Sequence, residues 1–128
     1  MRQNISSGSP WEPLYGYSRA VRVGNVIAVA GTTSGKDSFG KVIAEGDLYG
    51  QACAALEKIK AALDEAGASL KDVIRTRTLV TDITRFDEIA RAHSKYFGDI
   101  RPAATLVEVS ALVEPGFLVE IEADAVIE

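Results

Sequence analysis

Glu120 is the residue whose setting most invites chemistry. It sits between Val119 and Ile121, in a run that alternates apolar and acidic residues and places Glu122 and Asp124 on the same side. Partial burial and like-charge neighbours both raise a carboxylate pKa, as a general acid or base requires. The plainer alternative is a salt bridge to Arg75 or Arg77, which share one face of the segment Val73 to Val80. Other candidates resolve into packing. Cys53 falls near the start of a helical segment, where a thiolate is favoured. Alanines flank it and no histidine is near in sequence, which suits a packed, inert thiol. His93 lies on the apolar stripe of a second helical segment, the place of a half-buried core histidine. One histidine cannot build a multi-histidine metal site, and one cysteine cannot close an internal disulfide. The stretch Gly31 to Asp37 has the Gly, Thr and Lys content of a phosphate loop. Its glycines stand one residue too close, and Asp37 replaces the Ser or Thr that would hold magnesium. That excludes a nucleoside triphosphate site and leaves room for a looser nest of backbone amides around Gly31 to Ser34.

The elements that must hold these residues read clearly. Gly24-Asn25 suits a two-residue hairpin turn between Tyr17–Val23 and Val26–Ala30. Counting from that turn sets Val23 opposite Val26, Arg19 opposite Ala30 and Tyr17 opposite Thr32. Tyr17, Arg19, Val21 and Val23 then share a face. Residues 33–45 read as a loop with a short strand at Val42 to Ala44. Asp47 is placed as the N-cap of a helix whose apolar residues run from Leu48 to Ala66 and which Gly67 stops. Val73 to Val80 is β-branched and reads as a strand. Thr84 is expected to cap a second helix, residues 85–97, with Phe86, Ile89, Ala90, His93, Tyr96 and Phe97 on its apolar face. Two strands follow, Ala104 to Leu112 and Phe117 to Ile127, with a turn at Pro115-Gly116. The order predicts an α+β domain, a mixed sheet with two helices on one face. No third helix is in view for the other face, which points to a second subunit as its cover. Arg75 and Arg77 are expected across from the acids on that face. They make either a solvated salt-bridge lattice or a polar, subunit-facing surface with a ligand pocket.

The 128 residues read as one domain, with 1–13 as a loose lead-in rich in Ser, Gly, Asn and Pro. Forty-seven per cent hydrophobic and 25% charged residues exclude disordered and collagen-like chains. Fourteen Lys and Arg against eighteen Asp and Glu give a net charge of -4, a poor match to nucleic acid. No apolar run approaches a membrane span or a signal peptide, so the expectation is a soluble, cytoplasmic protein.

Several stretches together resemble the reactive intermediate deaminase (RidA, or YjgF) family. They are Gly16-Tyr17-Ser18 through Gly24-Asn25, then Ala30-Gly31, Gly67 to Val73, Leu79 to Asp82, Tyr96-Phe97-Gly98, Arg101-Pro102-Ala103, Val107-Glu108-Val109 and Val119 to Ala123. The resemblance spans nearly the whole chain. It implies a fold like bacillus-type chorismate mutase and a homotrimer with pockets between subunits. It also implies hydrolysis of 2-imino or enamine acids to 2-oxo acids and ammonia, with no cofactor and no metal. Residue by residue, it assigns Tyr17 and Glu120 to catalysis and Gly31, with neighbouring Thr32, to substrate binding. The family's carboxylate-binding arginine falls in the segment Pro102-Ala103-Ala104-Thr105, where Ala104 stands in its place beside Thr105. Ala90 and Leu106 likewise replace more polar or smaller residues. Arg19, two residues from Tyr17, is the leading substitute cation, ahead of Arg77. The expected partners are therefore a small-molecule ligand and the chain itself. The functions in view are a hydrolytic imine or enamine deaminase with altered or lost standard activity, and a non-catalytic small-molecule-binding module. The endoribonuclease role attached to some family names ranks third, against the acidic charge.

Overall fold

A computed structural model describes all residues, Met1–Glu128. One six-stranded sheet carries the chain, in the order β1-β2-β3-β6-β4-β5. The strands are β1 (Arg2–Ile5), β2 (Ala20–Val23), β3 (Val26–Thr32), β4 (Val73–Val80), β5 (Ala103–Glu108) and β6 (Val119–Val126). The helices are α1 (Trp11–Tyr15), α2 (Leu48–Glu65) and α3 (Phe86–Phe97). Only β4 and β5 run parallel; every other pair is antiparallel. This is the mixed-sheet α+β fold the sequence predicts, with α1 as a third, five-residue helix.

The hairpin register is the one that counting gives. Val23 pairs with Val26, and the Ala30 N–H donates to the Arg19 carbonyl at 2.9 Å. Asp47 caps α2 by accepting from the Gly50 N–H. Past the C-cap Ala66, Gly67 takes φ +85°, a conformation glycine adopts without steric cost. The face of α2 that meets the sheet alternates large and small residues: Leu48, Ala52, Ala55, Leu56, Ile59, Ala62 and Leu63 are all buried. The alanines let the helix axis lie close to β3 and β6, against Ile27, Val29, Ile121 and Ala123. Truncating a residue such as Leu56, which has no exposed surface, costs about 2–5 kcal/mol.

Five expectations need correction. The segment read as a loose lead-in contains β1, which pairs with β2 and gives the sheet an extra edge, and α1, ended by Gly16 at φ +87°. Asp82, not Thr84, starts the second helical region. Its carboxylate accepts from the Thr84 N–H and caps a short 3-10 turn (Ile83–Arg85) that leads into α3. Phe86 is more than half exposed, whereas Ile89, Ala92 and Phe97 carry the α3 contact. The last two strands are shorter than read, and residues 33–45 hold only an isolated bridge between Lys36 and Val42.

The sheet face away from α2 and α3 presents Glu120, Glu122 and Asp124 from β6. Arg75 and Arg77 lie beside them on β4, at the register partners of Asp124 and Glu122. Arg77 and Glu122 form an ion pair. Such an exposed pair contributes about 0–1 kcal/mol. Most residues of edge strand β5 are exposed on both of its faces.

Candidate functional site

The site is built where the β3–β6 ladder breaks its register. Val29 pairs with Ala123 and Thr32 with Ile121, so three steps along β3 match two along β6. The extra residue is a bulge at Ala30-Gly31, which re-aims the backbone. The Gly31 carbonyl turns toward the guanidinium of Arg19, which donates to it at 2.7 Å through Nη1. The same Nη1 donates to Thr32 Oγ1 at 3.0 Å, and Nη2 donates to the Tyr17 hydroxyl at 3.1 Å. Arg19 is only 8% exposed, lies 5.5 Å from the Tyr17 ring centroid and forms no ion pair. Two of its five donors, one on Nε and one on Nη2, meet no protein acceptor. An unpaired buried cation carries a desolvation cost that a bound anion offsets.

Glu120 lies over the bulge. A Cβ on Gly31 would overlap its Oε2, so the approach of carboxylate to backbone requires glycine there. The salt bridge considered for Glu120 is absent. Its register partner on β4 is Leu79, two residues beyond the arginine that pairs with Glu122. Burial, reinforced by the negative charge of Glu122, pushes the Glu120 carboxyl above the ordinary carboxylate range, against the opposing pull of Arg19.

Tyr17, Arg19, Gly31, Thr32 and Glu120 therefore meet in one cleft of about 1150 Å³. Ala104 and Thr105 do not reach it. They lie exposed on β5, paired with Thr76 and Arg77, and β4 and β6 separate them from β3. Sequence reasoning missed the cleft's second wall, which comes from residues 7–15 and carries Trp11, Leu14 and Tyr15. Glu12 anchors that wall. It is 5% exposed and accepts from the Ser7 N–H at 3.1 Å and from its hydroxyl. Burial works to raise its pKa, but the hydrogen bonds from Ser7 and Ser6 hold it below the usual range. The available signal was Gly16, a glycine placed to end a short helix. Lys58, from α2, also lines the cleft and was not anticipated.

The remaining candidates fall outside the cleft. His93 Nε2 shares a hydrogen bond with Thr76 Oγ1 at 2.8 Å and its ring lies 4.8 Å from that of Phe97; burial lowers its pKa. Cys53 packs beside the core. Asp37 folds the phosphate-loop-like stretch onto itself by accepting from the Phe39 and Lys41 N–H groups.

The mixed sheet backed by two helices is the fold of a known class of small α+β proteins. Residues 8–127 match the family model described as Endoribonuclease L-PSP. The crystal structure of Rv2704 from Mycobacterium tuberculosis, described as a member of the YjgF/YER057c/UK114 family, is 50% identical. Its TM-score is 0.89, covering 99% of this chain and 100% of that one. A RutC family protein of Pyrococcus abyssi is 40% identical over 89% of this chain and 88% of its own length. The 3-aminoacrylate deaminase RutC of Acinetobacter baylyi is 35% identical over 91% and 90%. The chain belongs to the YjgF/RidA family, of which the RutC proteins are members.

No helix is long and apolar enough to cross a membrane.

Proposed function

We propose that the cleft binds a small carboxylic acid and hydrolyses its imine or enamine form to the 2-oxo acid and ammonia. The observation that carries this is Glu120: an unpaired, half-buried carboxylate with a raised pKa, facing a buried arginine across a glycine bulge. The unspent Nε and Nη2 donors of Arg19 take the substrate carboxylate, a planar match for a guanidinium. Glu120 removes a proton from water as its oxygen adds to the C=N carbon, and passes that proton to the nitrogen, giving a carbinolamine with one hydroxyl and one amino group. Glu120 then takes the hydroxyl proton and delivers it to the amino nitrogen as the C–N bond breaks, so that ammonia leaves and the C=O forms. Each step moves one proton through a carboxyl whose environment keeps both forms within reach. Tyr17 orients Arg19 through its hydroxyl. The similarity to a protein called 3-aminoacrylate deaminase supports this class of substrate.

The bare sheet face and the exposed strand β5 support self-association, as the expected homotrimer requires. In that assembly Ala104 and Thr105 reach the cleft of a neighbouring copy. Ala104 also favours a second reading. Losing a charge-assisted carboxylate contact costs about 1.5–3 kcal/mol, and a site so weakened suits a non-catalytic binding module. An RNA substrate is disfavoured by the net charge of -4 and the acid ladder of β6. The test is hydrolysis of an imine generated in situ by an amino-acid oxidase, with semicarbazide trapping the remainder. Faster imine loss with the protein supports the deaminase. No acceleration, together with thermal stabilisation by a 2-oxo acid, supports the binding module.

A further inference from the structure

We infer that Lys58 is a second anion-binding residue of this cleft and that its ligand is an acid with two carboxylates. This rests on the carboxylate-binding reading above and deepens it. Lys58 projects from the middle of α2 into the same cleft as Arg19 and Glu120. Its ammonium lies against Gly35, where a Cβ would collide with it; that glycine sits at φ +76°. The ion pairs of the chain are Lys36–Glu114, Arg77–Glu122 and Arg85–Glu88, so Lys36, which also lines the cleft, is neutralised while Lys58 is not.

Burial, and then the positive charge of Arg19, hold the Lys58 amine below the ordinary lysine range. Two cations that face one cleft repel each other, and an anion between them reverses that cost. The acids nearby do not supply it. Glu12 is spent on Ser7 and Asp37 on the Phe39 and Lys41 amides, and Arg19 acts on Glu12 and Glu120 only at a distance, without an ion pair. None of the three pairs with Arg19 or Lys58. A ligand with one carboxylate satisfies Arg19 and leaves Lys58 free. A ligand with a second carboxylate engages both.

The test is isothermal titration of 2-oxobutyrate and 2-oxoglutarate into the full chain and into Lys58→Met and Lys58→Arg. Lys58 stands outside the hydrophobic core, so neither change disturbs it. The wild type is expected to bind 2-oxoglutarate at least about 10-fold tighter than 2-oxobutyrate. Lys58→Met should erase that preference and leave 2-oxobutyrate within about 2-fold, while Lys58→Arg retains most of the preference. Equal affinities in the wild type, or equal weakening of both acids by Lys58→Met, overturn this inference and leave the carboxylate reading standing. Failure of both acids to bind overturns both.

Discussion

Gly31→Ala separates the stability of this fold from the placement of the Glu120 carboxylate. The φ of Gly31 lies outside the left-handed region, so the backbone accepts alanine without strain. The three atoms nearest the new Cβ all belong to Glu120. That Cβ overlaps Oε2 and falls 2.9 Å from Cδ and 3.2 Å from Cγ. The far end of that side chain yields before the sheet does, and its carboxylate retreats by on the order of 1 Å. Overpacking of this kind costs about 1–2 kcal/mol. With an unfolding entropy of about 2.1 cal/mol/K per residue, that lowers the Tm of this chain by about 4–7 °C. A reacting group misplaced by about 1 Å loses on the order of 100-fold in rate. Circular dichroism melts and initial rates of imine hydrolysis read the two effects separately. The reasoning predicts a modest Tm loss with a rate close to that of Glu120→Gln. It also predicts that the double variant is no slower than either single one, since both act through one group. A Gly31→Ala protein that hydrolyses imine at the wild-type rate would refute it.

Two further predictions concern charge and surface. Because burial raises the Glu120 pKa in the folded state, the folded protein holds that proton more tightly than the unfolded chain. Its stability contribution is present below the ordinary glutamate pKa and is lost as pH rises through the folded value. Glu120→Gln should therefore melt higher than the wild type at pH 7, with the gap closing near pH 4; a gap independent of pH would contradict this. Ala104→Arg sits on an exposed edge strand and should change the Tm by no more than about 2 °C, as a surface substitution within ±0.5 kcal/mol does. If β5 of one copy lines the cleft of another, the same variant tightens 2-oxobutyrate binding by about 10-fold or more in titration; unchanged affinity would show that β5 stays away from the cleft.

The fold was legible where local chemistry and tertiary packing agree. Gly24-Asn25 set the hairpin register, and Asp47 and Gly67 bounded α2. Alternation along β6 told which side each acid faces. The bulge at Ala30-Gly31 was not legible, because an extra residue in a strand shows only against its partner. That bulge is what brings Gly31, Arg19 and Glu120 together. Sequence also left Glu120 open between a salt bridge and a free carboxylate. Two residues of register decided it, setting Glu120 beside Leu79 and Glu122 beside Arg77. Lys58 stands between Glu57 and Ile59 on a helix, indistinguishable from a solvated lysine until the loop around Gly35 is placed over it. The lead-in looked loose because four strand residues at an edge carry little hydrophobic pattern. Glu12, an acid between Trp11 and Pro13, gave no hint of the serine hydrogen bonds that bury it.

In the proposed reaction Glu120, held over the Gly31 bulge, activates water against an imine. The most direct measurement compares the wild type with Glu120→Gln at pH 7–8 in the oxidase-coupled, semicarbazide-trapped assay, with equal 2-oxobutyrate affinity as the control for an intact cleft. The wild type is expected to remove imine faster than the uncatalysed background, and Glu120→Gln to fall by about 100-fold or more while still binding. Equal rates for the two proteins, or a wild type no faster than background, would contradict it.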